Sequence, residues 1–375
     1  MRLLDRYLLR ECLVPLGYCL SGFLIFWIAA DLFSELHTLQ DSRLLSRDIA
    51  EYYLLRIPGF LPVTLPVALL LALLYALTNH ARHNEITAIR AAGVSLGRLS
   101  LPYLAVGFVA SVALFSINEF CVPKTAEMAD QVLTRRVQRS LGADERQQIK
   151  NFTFRNARAG EDRTWVIGLY NQKTGEMLQP NVEERLRSGS WRSLHADRAI
   201  RTNGLWVFYH VIEIRTATNS LPMPLPQVNM LSLPDFSETP EEIRSEISIN
   251  HRFGHQSRTR SADVPITEIL NYLRLHPDPE GSIRPWLYTK LQGRFAGPCT
   301  CLIVVLIAVP FAAGTGRRNV FVGVAASISI CFVYLVLQQL GFAFGEAGRL
   351  PAWLAAWFPN LAFGMAGLWM MGRVR

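Results

Sequence analysis

Few residues in this 375-residue chain stand at spacings that do chemistry. Cys299-x-Cys301 and His80-x-x-His83 have the short separations of metal-ligand pairs. Neither has a second pair nearby, so helix packing competes with ligation at the cysteines and an ordinary surface role competes at the histidines. His251 and His255 stand in a polar, basic run at 251–263 that reads as a surface loop, without a third ligand. GTGRRN at 314–319 is glycine-rich but lacks the lysine and hydroxyl residue that hold phosphate and magnesium in a Walker motif. No H-E-x-x-H, G-x-S-x-G or aspartate-rich metal run occurs. These absences predict no catalytic residue, no metal site and no cofactor held by this chain.

The elements around these residues are apolar. Half of the residues are hydrophobic and 18% are charged, against about a quarter charged in soluble chains. Six windows approach the roughly 20 residues needed to cross a hydrocarbon core: 13–33, 57–78, 100–119, 295–313, 319–343 and 351–371. The first is long and is followed by Asp31 and Glu35 without a small-residue cleavage pattern, so it reads as a span and not as a cleaved signal. The net charge of +8 would suggest nucleic acid in a soluble protein. Here position explains it. Arg2, Arg6 and Arg10 precede span one, Arg82, Arg90 and Arg98 lie between spans two and three, Arg317 and Arg318 between four and five, and Arg373 and Arg375 at the end. Basic residues in alternate connections predict both termini in the cytoplasm and no nucleic-acid partner. Asp31, Glu35 and Glu119 fall near the outer ends of spans and read as interfacial charges.

The spacing predicts three parts: spans one to three over 1–122, a polar insert over 123–285, and spans four to six over 286–375. The insert is the size of one domain and lies on the periplasmic side by the charge rule. Its pattern is β. TWVIGLY at 164–170 is followed by a turn at Lys173–Gly175, and Asn203-Gly204 separates SWRSLHADRAI from LWVFYHVIEIR. Asn-Gly between two such runs predicts a hairpin, because its turn needs positive φ at both residues. Short strands at this spacing predict an antiparallel sandwich or jelly roll. The proline-rich 219–234 reads as an extended crossing or edge strand, and PITEILNYLRL at 265–275 as a short helix returning to the membrane.

Between spans two and three, NEITAIRAAG predicts a helix over 84–93. Asn84 is placed as its N-cap, Glu85 complements the positive end of its dipole, and Gly93 suits a left-handed C-cap. Ile86 and Ile89 share a face, Ala88, Ala91 and Ala92 are small, and Arg90 stands near the end. A helix this short is marginal alone and needs a surface to lie on. The bilayer surface and a cytoplasmic partner, such as an ATPase, are both open on physical grounds.

LDRYLLRE at 4–11, LLRIPGFLPVTLPVALLLALLYAL at 54–77, NEITAIRAAGVS at 84–95, NEFCVPKTAEMA at 118–129, FSETPEEI at 236–243 and RFAGPCTCLIVVLIAVPFAAGTGRRN at 294–319 resemble the LptF/LptG family of lipopolysaccharide-export permeases. LDRY and the ending LPAWLAAWFPNLAFGMAGLWMMGRVR look more like the G type. The resemblance spans essentially the whole chain. It implies a six-span, three-plus-three α-helical membrane protein of the bacterial inner membrane with an inserted periplasmic β-jellyroll. It further implies a non-catalytic ABC-transporter permease that extracts lipopolysaccharide. The implied partners are an LptB-type ATPase dimer that binds ATP and Mg, a second permease chain (LptF-type or another copy), a single-span LptC-type protein and an LptA-type periplasmic bridge. By this likeness the loop at 84–93 is a coupling helix whose ATPase interface includes Glu85, Ile86, Ile89, Arg90, Ala91 and Gly93.

For the substrate, Phe23, Phe26 and Trp27 in span one and Phe332, Tyr334 and Leu335 in span five offer apolar walls, and Lys124, Arg135, Arg136 and Arg139 offer phosphate contacts. A generic basic stretch beside the membrane is the competing reading of those cations. One departure stands out. G-type relatives carry lysines at the outer end of span one, where this chain has ADLFSELHTLQDS with Asp31, Glu35 and His37. Two other functions remain open from the residues alone. A secondary carrier would want polar groups or broken helices at mid-membrane, for which Pro310 is a single unaccompanied break. A membrane scaffold with a periplasmic binding domain would need no ATPase.

Overall fold

A computed structural model describes residues 3–41, 45–140, 148–156, 162–171, 173–185, 190–216, 223–234, 236, 238–253, 264–276, 283–313 and 320–373. The chain divides into two compact units. One comprises Met1–Thr134, Ala262–Ile266 and Ser282–Arg375, and the other Arg135–Ser261 with Thr267–Gly281.

The first unit is helical. It holds α1 (Leu3–Ser34), α2 (Leu36–Asp41), α3 (Ser46–Arg82), α4 (Glu85–Ala91), α5 (Leu96–Ser116), a π turn at Ile117–Cys121, and the start of α6 (Val122–Ser140). Among the described residues six stretches are long and apolar enough to cross a membrane: α1, α3, Gly97–Leu133, Ile283–Pro310, Ile328–Glu346 and Ala352–Arg373. Several begin or end well outside their sequence windows, α1 starting at Leu3 and the fourth span at Ile283. The second span starts at Ser46 and not at 57, because SRDIAEYYLL is itself helical, with the Leu45 N–H donating to Asp48 Oδ2 at 3.3 Å. Tyr52 and Tyr53 of that added turn pack with Leu39, Ala129 and Val132 in a small buried cluster.

The third span does not stop near 119. It continues through the π turn into α6, so the residues after 122 extend a helix. A π turn frees backbone groups from the regular ladder. Here the Asn118 carbonyl accepts from Arg294 Nη1 at 2.9 Å, and Arg294 Nε donates to Val264 O at 3.1 Å. Arg294 is 6% exposed, so these bonds offset part of the cost of burying its guanidinium. Glu119 is more than an interfacial charge: its Oε2 accepts the Ile266 N–H at 3.1 Å.

The second unit is built on eight strands: β1 (Gln148–Asn156), β2 (Asp162–Asn171), β3 (Met177–Arg185), β4 (Trp191–His195), β5 (Arg198–Thr202), β6 (Leu205–Thr216), β7 (Met223–Pro224) and β8 (Val228–Leu233). Every pairing is antiparallel, in the order β1-β2-β3-β4-β6-β5, with β7 and β8 also on β6 and a second pairing of β3 with β5. The hairpin at Asn203-Gly204 forms as the sequence predicts, with φ of 52° and 83° and Thr202 opposite Leu205. The proline-rich segment supplies β7 and β8.

The insert also contains α7 (Pro240–Phe253), which the β pattern did not anticipate, and α8 (Ile266–Leu275), which it did. The start of α7 is a capping box: Glu242 N donates to Thr239 Oγ1 at 3.2 Å and Thr239 N donates to Glu242 Oε2 at 2.9 Å, with Pro240 in the first turn. Ile243 and Ile247 of α7 join a core of Trp165, Trp206, Tyr170, Phe208 and Phe236. Glu238 ties the same region together. Its Oε1 accepts from Asn156 Nδ2 at 2.8 Å and Trp165 Nε1 at 3.2 Å, and its carbonyl accepts from Trp206 Nε1 at 2.8 Å. The last three helices are α9 (Ile283–Ala313), α10 (Val320–Glu346) and α11 (Ala352–Arg373). Pro298 and Pro310 lie within α9 without ending it.

Candidate functional site

The helix between spans two and three forms as Glu85–Ala91. Its C-terminal signal works as expected. Gly93 has φ +85°, its N–H reaches Arg90 O at 2.9 Å, and the Val94 N–H reaches Ile89 O at 3.3 Å. Its N-terminal signal does not. Asn84 is left-handed, with φ 58°, and its side chain makes no cap bond. Residues 81–84 turn too sharply out of α3 for the extended backbone that a side-chain cap needs, as the Asn84 N–H to Ala81 O bond of 3.1 Å shows.

Ile86 and Ile89 do share a face, and that face is turned inward. Ile86 is 7% exposed in a core with Leu77, Leu99 and Tyr103, and Ile89 packs against the same core. Ile86 is buried there, and Ile89 is half-buried. The outward side presents Thr87, Ala88, Arg90, Ala91, Ala92 and Gly93, and Glu85 is half-buried. The short helix thus lies on the joined ends of α3 and α5, which supply the surface it needs.

Polar groups hold its first residue. His80, near the end of α3, is 2% exposed, and its Nδ1 lies 2.7 Å from Glu85 Oε2. With the carboxylate ionised, Nδ1 must carry the donated proton. The Tyr7 hydroxyl of α1 donates to the same oxygen at 3.1 Å, and its ring lies 5.7 Å from the imidazole. Beside them Arg98 Nη2 donates to Asp5 Oδ2 at 3.0 Å. His80 is thus a buried partner of Glu85 and not the surface residue its spacing suggested. Among the described residues no group of His, Cys, Asp or Glu is arranged to hold a metal, and His255 lies outside them.

The substrate-side candidates are spread out. On α1, Phe26 and Trp27 are exposed and pack edge-to-face with centroids 6.4 Å apart, with Phe23 half-buried nearby. Phe332 is exposed on α10, but Tyr334 is not an apolar wall. It is 8% exposed, and its hydroxyl donates to Asn360 Oδ1 at 2.8 Å and bonds Thr300 at 2.6 Å, because a buried phenol must satisfy its oxygen. Lys124 is exposed on α6. Arg135, Arg136 and Arg139 continue α6, and their side chains lie outside the described set. Near the C-terminal end of α1, Asp31 Oδ2 accepts from Arg56 Nη1 of α3 at 3.0 Å, so the cation at this level comes from span two.

The family model described as lipopolysaccharide export system permease LptF/LptG matches residues 6–373. The chain belongs to this family. No curated protein matches it. The match runs through all six spans and the inserted antiparallel sheet, so both units belong to the LptF/LptG permease and neither is an added module. Within this permease, Asp5 and Tyr7 beside α4 went unread in the sequence, and His80 and Arg98 were read only for other roles. Tyr7 and Glu85 are 78 residues apart and Asp5 and Arg98 are 93 apart, so no local pattern links them. His80 carried only the misleading pairing with His83.

Proposed function

We propose that this chain is the transmembrane subunit of an ABC transporter that extracts lipopolysaccharide from the inner membrane and passes it to a periplasmic bridge. ATP and Mg are bound by a separate LptB-type ATPase dimer, and this chain catalyses nothing itself. The single observation that carries the coupling is the seating of α4. Its apolar side is anchored on the chain's own core while Thr87, Ala88, Arg90 and Ala91 face outward. A push on the outer side therefore reaches α3 and α5 through packed side chains. A helix resting only on a bilayer would instead turn its isoleucines to lipid.

Extraction needs such a drive, since lifting acyl chains from a bilayer costs about 0.8 kcal/mol per methylene. The exposed apolar faces of α1 and α10 support a second six-span chain, LptF-type or another copy, with the lipid between. An LptC-type protein and an LptA-type bridge complete the assembly. Both termini and α4 are cytoplasmic in this reading, and the strand unit is periplasmic. A stand-alone carrier is disfavoured by the spans themselves. Tyr334, Thr300 and Asn360 within them bond to one another.

The test is gentle-detergent purification of the tagged chain with mass spectrometry of its companions, beside Arg90→Glu, Ala91→Trp and Glu85→Ala. A Walker-motif ATPase and a six-span chain should accompany the wild type. The outward substitutions Arg90→Glu and Ala91→Trp should lose the ATPase and keep the six-span chain. A wild-type chain that brings down no ATPase under any mild condition sinks the reading.

A further inference from the structure

The first turns of α1 touch the loop that carries α4 on both sides of it. Tyr7 donates to Glu85 at the start of α4, and Asp5 pairs with Arg98 in the first turn of α5. His80 of α3 holds the same oxygen of Glu85 as Tyr7 does, so one carboxylate oxygen joins α1, α3 and α4. Elsewhere few residues of α1 are fully buried. Only 6% of its apolar window is buried, against 56% for α3 and 61% for the α9 span. Its buried residues are Leu8 and Cys12, both within two turns of the polar contacts. Near its other end stands the ion pair of Asp31 with Arg56. Between these contacts α1 lies along α3, with Leu16, Ile28 and Leu32 partly buried, so the polar contacts at its first turns add a second attachment, to the loop that carries α4, beside its packing on α3.

We propose that Asp5 and Tyr7 are positioning residues that make α1, and not only α3 and α5, follow the movement of α4. The covalent chain already ties α4 to α3 and α5. The two polar contacts add the third helix, α1, whose apolar window has the smallest buried share of the six among the described residues. This inference rests on the reading that an ATPase docks on α4. It adds that force on α4 reaches the apolar face containing Phe26 and Trp27 through Tyr7 and Asp5.

The test uses the full chain purified with its companion chains and reconstituted in vesicles containing fluorescent lipopolysaccharide. Three quantities are read: ATPase captured, ATP turnover, and lipopolysaccharide extracted per ATP hydrolysed. In the double variant Asp5→Asn, Tyr7→Phe, capture and turnover should stay within about twofold of wild type, and lipid per ATP should fall about fivefold. The charge swap Asp5→Arg with Arg98→Asp should recover most of the loss due to Asp5→Asn. Should the double variant fail to fold, Tyr7→Phe alone, which keeps the ring against His80, serves in its place. An unchanged lipid-to-ATP ratio overturns the proposal. So does lost ATPase capture in the double variant, since the contacts would then be shaping the docking face and not α1. Absence of any ATPase with the wild type is a separate result that overturns the coupling reading itself.

Discussion

His80 Nδ1 and Glu85 Oε2 stand 2.7 Å apart, joining a fully buried ring at the end of α3 to the first residue of α4. Removing the ring leaves a cavity and strips the half-buried carboxylate of its shortest partner. His80→Ala should lower stability by about 1–3 kcal/mol, whereas Glu85→Gln, which keeps a group in place, should cost less. Thermal unfolding in detergent measures both. Equal effects of the two changes would mean that the carboxylate charge, and not the buried ring, dominates.

Close helix approach among the last three spans depends on glycines. A Cβ on Gly367 of α11 would stand 2.9 Å from Leu306 O and 3.0 Å from Leu306 C, backbone atoms of α9 that cannot swing aside. At Gly341 an added Cβ would collide with the Ala355 carbonyl oxygen. Gly22 of α1 has nothing within 4 Å. Gly367→Ala should therefore destabilise by about 1–3 kcal/mol through overpacking, and Gly22→Ala should be neutral or slightly stabilising. Melting of the purified chain separates the two.

In the strand unit Glu238 is 2% exposed and accepts from Asn156, Trp165 and Arg163 at 2.8, 3.2 and 3.5 Å. Glu238→Ala strands these donors, Arg163 among them although it also pairs with Glu184 at 2.9 Å. The expected loss is about 3–5 kcal/mol. It should be seen as faster proteolysis of the insert and as a fluorescence change from the stacked Trp165. A variant as protease-resistant as wild type would show that Glu184 alone suffices for Arg163.

Burial raises the Glu213 carboxyl, but Arg215 and Arg192 outweigh it and hold the group below its ordinary range. The ion pairs are 2.6 Å from Arg215 Nε and 3.1 Å from Arg192 Nε. A depressed carboxylate stabilises the fold above its unfolded pKa, and this contribution is lost as pH falls through the depressed folded value. Acid should therefore loosen the β4–β6 pairing, and Glu213→Gln should flatten that part of the acid limb. Unfolding of the strand unit followed by circular dichroism against pH checks it; an acid limb identical in the variant would assign the loss to other carboxylates.

Much of the architecture was legible before any coordinates. Six apolar runs and an Asn-Gly hairpin each rest on one local rule, and local rules need no partner. Gly93 as a left-handed cap belongs with them, as does the return helix near 265–275. The helix α7 was legible too, in Thr239-Pro240-Glu241-Glu242, but a β reading of the surrounding insert passed over it.

What the tertiary structure alone decided is which way those elements face. Helical spacing put Ile86 and Ile89 together, yet periodicity does not say whether an apolar stripe meets a partner or the chain's own core, and here it meets Leu77 and Leu99. Tyr334 read as a wall until Asn360 and Thr300 closed on its hydroxyl. His80 read as surface until Tyr7 and Glu85 arrived from other helices. Each case has the same cause. A local pattern fixes how residues are placed on one element, while burial and hydrogen-bond partners are properties of pairs of elements brought together from far apart in the chain.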